Sequence, residues 1–486
     1  MFGLQTSNPL ATTILIAGLV LSAATLTAPM PLLVIATLAI TCFVLLPVSP
    51  LIALVITLTL APLRTLVSTE SSLSLPLDIG QILLLVYLGV WLAQRMWRRE
   101  TLLQARAGPV LLAALGVSAI FSIGAWNSQS LAGWLAEWLK WVAIALIIWT
   151  LTASVDGSWR WLVFAILVSA FANALVGLYI FAGGSGADHL VILGKYFRAF
   201  GTFGQPNPFG GFMGIALPLA LMTAWAQLAG IWQGVRSERR LPLLPALVFS
   251  SSGMASLILA AALVASWSRG AWLGTAVAVM CMLIALPRRL SHGLALAAAI
   301  AVLLAGTWSI GLLPRSIVLR LTTAATDLIT ASDVRGVEIT PVNYAVIERL
   351  AHWQAALYMA EHAPFIGVGL GNYEVVYDDF RLINWDEPLG HAHNLYLNKL
   401  AETGLIGLIA YLSFWVVVFR MTWSLRRQPD SFSRCIAIGL LGSWVYVAVH
   451  SIFDNLYVNN LFLHIGVLLG LLAILYRRLT QALELD

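Results

Sequence analysis

The chain of 486 residues is poor in charge, in lysine and in cysteine. Only 10% of its residues are Asp, Glu, Lys or Arg, where an ordinary globular domain carries roughly 25%. Hydrophobic residues make up 60%, and the mean hydropathy is +0.89. Such a chain is neither disordered nor a soluble enzyme on one anchor; it is a polytopic membrane protein. Cys42 and Cys281 sit inside apolar runs and Cys435 begins one, without CxxC spacing, so no disulfide framework or zinc site follows. Lysine occurs only at 140, 195 and 399. The net charge of +5 and pI near 9.2 do not point to nucleic acid, because most basic residues gather in short loops between apolar runs, as the positive-inside rule expects.

A bilayer core of ~30 Å takes about 20 helical residues. Runs of that kind lie near 10–28, 31–47, 50–67, 79–97, 109–126, 131–152, 159–183, 208–229, 243–266, 270–286, 294–312, 395–419, 435–453 and 460–476. The first three are separated by little more than Pro29, Pro31 and Pro50. The expectation is therefore an all-α polytopic integral membrane protein with 12–14 transmembrane helices. No basic n-region precedes the first run and Pro29 follows the small-residue stretch, so the first helix is expected to stay uncleaved.

Arg95, Arg98, Arg99 and Arg106, then Arg236, Arg239 and Arg240, then Arg288 and Arg289, then Arg420, Arg426, Arg427 and Arg434, and finally Arg477 and Arg478 all follow even-numbered spans. They share one face, which the rule makes cytoplasmic, with both termini. The expected location is the cytoplasmic (inner) membrane, multi-pass. Four regions follow: N-terminal spans over 1–183, central spans with Arg-bearing outer loops over 184–312, a large outer-face loop over 313–393, and C-terminal spans over 394–486. The large loop is acidic and has helical texture; apolar positions from Ile347 to Leu357 predict an amphipathic helix over 345–361, ending before Pro364. A loop this long is usually functional, and this one reads as a lid.

On the outer face the positive-inside rule does not account for basic residues, and they need another reason. Lys195 and Arg198 lie in GKYFRAFGTFGQPNPFGG, whose Gly and Pro residues predict a tight re-entry close to a ligand. Arg269 lies in SWSRGAW, with almost no loop around it. The third feature is HAHN, with His391 and His393, just before the run at 395. An outer Arg commonly snorkels to phospholipid phosphate, and a His pair at a membrane edge is commonly structural. Together, two guanidinium groups and an imidazole on one face suit transfer from a lipid diphosphate, where charge is held and a proton removed.

Other constellations carry less. Gly367, Gly369 and Gly371 in IGVGLGNY lack a Rossmann context and read as a turn. His391 and His393 with Asp386 or Glu387 do not make an evident three-ligand metal set; no metal and no cofactor is expected. His352 and His362 read as packing or capping in the lid helix, and Arg64 with Asp78 as a local ion pair. His450 near Asp454 could be the proton relay of a secondary transporter, although no inverted repeat supports it. A non-catalytic assembly protein is the blander rival.

From about Phe197 to Gly407 the chain resembles the O-antigen ligase and Wzy-type polymerase superfamily. The resemblance rests on the Arg198 loop with FGQPNPFGG, on SRGAW, on ERLAHWQAAL followed by PFIGVGLGNY, and on HAHNLYLNKLAETGLIG, in that order. It implies a helical bundle of the C-type glycosyltransferase kind that moves a glycan from undecaprenyl diphosphate to an acceptor hydroxyl on the outer membrane face, with inversion and without metal. It implies Arg198 and Arg269 on the diphosphate and His393 as general base, with Lys195, His391, Asn394 and Arg349 as possible substrate contacts. Glu402 would support a helix end. The implied partners are the lipid-linked glycan donor, lipid A core or another glycan or lipid acceptor, and membrane lipids. A repeat-unit polymerase differs only in acceptor, and nothing in the motifs separates the two.

Overall fold

The structure is a computed structural model, and it describes residues 49–70, 77–101, 108–154, 158–184, 186, 188–238, 243–312, 318, 322, 333–340 and 343–484. The chain is an all-α polytopic membrane protein. Its helices in order are α1 (Pro50–Leu60), α2 (Arg64–Glu70), α3 (Ile79–Trp97), α4 (Pro109–Ser122), α5 (Leu131–Ser154) and α6 (Arg160–Phe181). There follow α7 (Pro206–Glu238), α8 (Leu243–Ala265), α9 (Arg269–Ala285) and α10 (Leu290–Ser309). The last five are α11 (Tyr344–His362), α12 (Tyr377–Phe380), α13 (Leu395–Ser424), α14 (Ser431–His450) and α15 (Leu461–Leu483). Among the described residues, 10 helices are long and apolar enough to cross a membrane; Pro109–Ala125 and Arg269–Ala285 are apolar but shorter. Each of the twelve apolar runs read after residue 49 thus meets a helix, and the runs at 10–28 and 31–47 lie outside the described residues.

Burial sorts the spans. In α15 83% of the apolar window is buried, against 11% in α10, so α15 is bundle core and α10 lies at the rim, facing lipid. A helix apolar all round suits the first position. Gly466 and Gly470, four apart, bring α15 against Ile144, Ile147 and Leu151 of α5, the small-residue contact that lets membrane helices approach closely. Tyr446 of α14 packs where side chains on Gly214 and Gly274 would sit, and its hydroxyl donates to the Gly210 carbonyl at 2.9 Å. Thus α7, α9 and α14 form one tight group.

The lid helix expected over 345–361 is α11. It packs on α13, and Ala355, Ala356 and Met359 join Val368, Tyr373, Val376, Tyr377, Ala392 and Ala401 in a core separate from that of the spans. The segment after α6 makes a two-stranded hairpin, β1 (Val191–Ile192) and β2 (Tyr196–Phe197), which hands the chain to Arg198. Arg315 and Arg320, outer-loop arginines that match no position of the resemblance, lie outside the described residues.

Candidate functional site

Three connections meet at one end of the bundle: 198–205 entering α7, 266–268 between α8 and α9, and 391–394 before α13. Arg198 is fixed first by its backbone, whose N–H donates to the Leu190 carbonyl at 2.9 Å. Its neighbour Ala199 donates to Ala265 at 2.9 Å. The guanidinium donates through Nε to the Ser266 carbonyl at 3.0 Å and through an η nitrogen to Asn207 Oδ1 at 3.2 Å. Arg269 opens α9 three residues beyond Ser266. Burial draws the Arg198 guanidinium down to about 10, and the charges of Arg349 and Arg269 add to that. Three cations within electrostatic reach of one another make a place for an anion.

The HAHN turn is pinned to the end of α14. Asn394 caps α13, its Oδ1 accepting from the N–H groups of Tyr396 and Leu397 at 3.0 and 3.1 Å. The Leu395 N–H donates to the Ser451 carbonyl at 2.8 Å, and the Tyr396 hydroxyl to Ala448 at 2.8 Å. His393 holds φ at +50°, a left-handed conformation that costs a non-glycine residue on the order of 1 kcal/mol and survives where its surroundings enforce it. That backbone sets both imidazoles against Asp454, with His393 Nδ1 3.5 Å and His391 Nε2 3.6 Å from Asp454 Oδ1. The His393 N–H donates to His391 Nδ1 at 3.0 Å, so the proton of neutral His391 sits on Nε2, facing Asp454. Nδ1 of His393 faces the same oxygen; in the tautomer with its proton on Nδ1, Nε2 is the basic nitrogen.

Burial raises the Asp454 carboxyl, but contact with His393 and the charges of His393, His391 and His450 outweigh it and hold the group well below the usual carboxylate range. His391 is pushed down to about 4 by burial, against the pull of Asp454. Beneath the pair, burial and the neighbouring His393 and His391 push His352 of α11 down to about 3. Its ring lies 5.8 Å from that of His393, stacks on Tyr377 at 4.9 Å, and its Nδ1 meets the Tyr373 hydroxyl at 3.0 Å. Arg349 stands three residues before His352, on the same helix face, and acts electrostatically on both Arg198 and His450. The guanidinium group and the imidazole–carboxylate group are therefore neighbours.

Not every candidate joins them. Lys195 is exposed in the hairpin turn, its ammonium 5.3 Å from the Tyr196 ring. Glu402 is buried and paired with Lys399 at 3.1 Å. Arg64 pairs with Asp78 at 3.5 Å, as expected. Asp454 is the residue assigned elsewhere: read as the partner of His450, it lies past the end of α14 with its closest ionisable contacts to His391 and His393. It also supplies the third donor that the His pair lacked in sequence. Ligand atoms of His391, His393 and Asp454 lie within 4.8 Å of one another, a spacing that could hold a metal ion. Asp386, offered for that place, pairs with Arg381.

Residues 254–412 match the family model described as O-antigen ligase, Wzy_C. Over this segment the chain is similar to the O-antigen ligase family. The segment runs from within α8 to within α13 and contains Arg269, Arg349, His391 and His393, whereas Arg198 and Asp454 lie outside it. No curated protein matches the chain significantly.

Proposed function

We propose that this protein transfers a glycan en bloc from undecaprenyl diphosphate to an acceptor hydroxyl, as an inverting, metal-independent glycosyltransferase of the O-antigen ligase type. The reading places it in the cytoplasmic membrane with both termini cytoplasmic and the site on the outer face. The observation that carries it is the His393–Asp454 contact beside the group formed by Arg198, Arg269 and Arg349.

In this reading the arginines bind the diphosphate and neutralise the charge that grows as it departs. Nε2 of His393 takes the proton of the acceptor hydroxyl, whose oxygen attacks the anomeric carbon from the side opposite the diphosphate. The bond from that carbon to the diphosphate oxygen breaks, and its electron pair leaves with the diphosphate, inverting the anomeric centre. Asp454, facing Nδ1, stabilises the imidazolium that forms. Lid helix α11 brings Arg349 and covers the reacting centre, keeping water from competing as acceptor. Lys195 serves as an outlying substrate contact and His391 as one beside His393, and Asn394 orients the turn as the cap of α13.

Two alternatives share this site. A repeat-unit polymerase would use the same groups on a lipid-linked acceptor glycan. A metal held by His391, His393 and Asp454 is favoured by the spacing of their ligand atoms, and would polarise an acceptor oxygen. Transfer by purified protein in liposomes tests all three, comparing wild type, His393→Ala and Arg269→Ala, with and without EDTA, on lipid A core and on a second donor molecule. Transfer that resists EDTA and collapses in both variants supports the proposal, and the preferred acceptor separates ligase from polymerase. Full activity of His393→Ala, or loss of wild-type activity in EDTA, overturns the general-base reading.

A further inference from the structure

Helix α13 is broken at Gly404, where φ is 61° and ψ is −167°. In a continuous helix the N–H groups of Leu405 and Ile406 would pair with the carbonyls of Ala401 and Glu402. Here all four are taken by residues 364–369. Leu405 donates to Pro364 at 2.8 Å and Ile406 to Phe365 at 3.2 Å, while Val368 donates to Ala401 at 2.9 Å and Gly369 to Glu402 at 3.0 Å. The loop is spliced into the helix and repairs its hydrogen bonds one for one. Close approach of the two backbones requires glycine on both: a Cβ on Gly404 would lie 2.2 Å from the Phe365 carbonyl carbon, and one on Gly367 2.3 Å from that of Glu402. The Gly367 carbonyl accepts from the Asn127 side chain, so little of the turn's backbone is left to water.

Membrane depth follows from the sequence of α13. Its apolar run Leu405–Phe419 ends at Arg420, which marks one boundary of the hydrocarbon. At ~1.5 Å per residue the run reaches back about 21 Å, and a core of ~30 Å extends further, to about residue 400. The splice therefore lies inside the hydrocarbon, on the side that carries His391 and His393. Irregular backbone is tolerated at that depth only when protein groups satisfy it, as they do here. Yet the side chains at the tip face outward: Phe365 is 66% and Ile366 40% exposed, and they continue the exposed stripe of Leu405, Ile406 and Ile409 on α13.

We infer that Pro364–Gly367 is a re-entrant wedge that inserts Phe365 and Ile366 among the acyl chains of the bilayer. The wedge starts two residues after α11 ends, so it tethers the lid to the membrane at a fixed depth, whatever glycan is moved.

The test uses full-length protein in phosphatidylethanolamine–phosphatidylglycerol liposomes, with Cys42, Cys281 and Cys435 replaced by Ala. Single nitroxide labels go at Phe365→Cys and Ile366→Cys, with Ile409→Cys as the lipid reference and Asp379→Cys, at an exposed position of α12, as the water reference. Collision with oxygen and with a nickel chelate is then measured. Both tip labels should match position 409, shielded from the nickel chelate and readily relaxed by oxygen; values matching position 379 overturn the inference. Wild-type protein gives the same decision without substitution, by carbene labelling from diazirine-bearing acyl chains. Adducts on both 364–369 and 405–412 support the wedge, and adducts on 405–412 alone refute it.

Discussion

Replacing Asp454 by Asn keeps the volume of the side chain and removes one charge, which isolates the electrostatic part of the proposed base. In the transition state the imidazolium of His393 would stand 3.5 Å from the carboxylate oxygen. At an effective dielectric of about 20 the pair is worth at most ~5 kcal/mol. His391 shares the same oxygen at 3.6 Å, so part of that attraction is already spent in the ground state. A loss of about 3 to 4 kcal/mol corresponds to roughly 10²–10³ in rate at ~1.4 kcal/mol per tenfold. The assay is initial-rate glycan transfer in proteoliposomes over a range of donor concentrations. The expected result is a fall of that size in kcat with the donor KM unchanged, because the arginines are untouched. A kcat within about threefold of wild type would show that the His393–Asp454 contact does no catalytic work, and a change confined to KM would move Asp454 to substrate binding.

Arg198→Ala should raise the donor KM and lower kcat, while Arg198→Lys recovers little, since a lysine cannot donate to Ser266 and Asn207 and still present a planar fork to phosphate; donor titration against rate measures both. Stability should fall on acidification: an unfolded His titrates near 6.5, and His391 stays neutral down to about 4. Its contribution is whole above pH 6.5 and is lost as pH drops from 6.5 toward 4, a span worth about 3 kcal/mol. Thermal unfolding against pH should show this slope, reduced in His391→Gln; an unchanged slope would dissociate His391 from it. Gly367→Ala places a methyl 2.3 Å from the Glu402 carbonyl carbon at a φ of 69°. It should cut folded yield sharply on detergent gel filtration, whereas Gly306→Ala, with open space around it, should not.

Much of this site was legible because the chemistry and the topology are written in residue types. Arg198, Arg269 and the His pair stood out by being basic on the face where the positive-inside rule expects few cations. The run at 435–453 also ends on the His393 face, but by sequence Asp454 pairs only with His450. Its sequence neighbour His450 masked that signal, being four residues away and an obvious helical partner. Only the left-handed backbone of His393, which no residue type announces, turns both imidazoles toward the carboxylate. IGVGLGNY was rightly read as a turn, but its purpose was hidden: Gly367 and Gly404 are needed for each other, across a contact between lid and span that periodicity cannot reveal. For the same reason α13 reads as one uninterrupted run from Leu395, with nothing polar at residues 404–406 to announce a break.

The bonds from Leu395 to Ser451 and from Tyr396 to Ala448 mean that the turn bearing His393 and the loop bearing Asp454 are joined through the backbone, without help from any ligand. The placement of His393 against Asp454 is thus inherited from the scaffold. An engineer can then exchange loops around this turn as one changes a nozzle, provided that Arg349 and the Pro364–Gly369 splice stay in place.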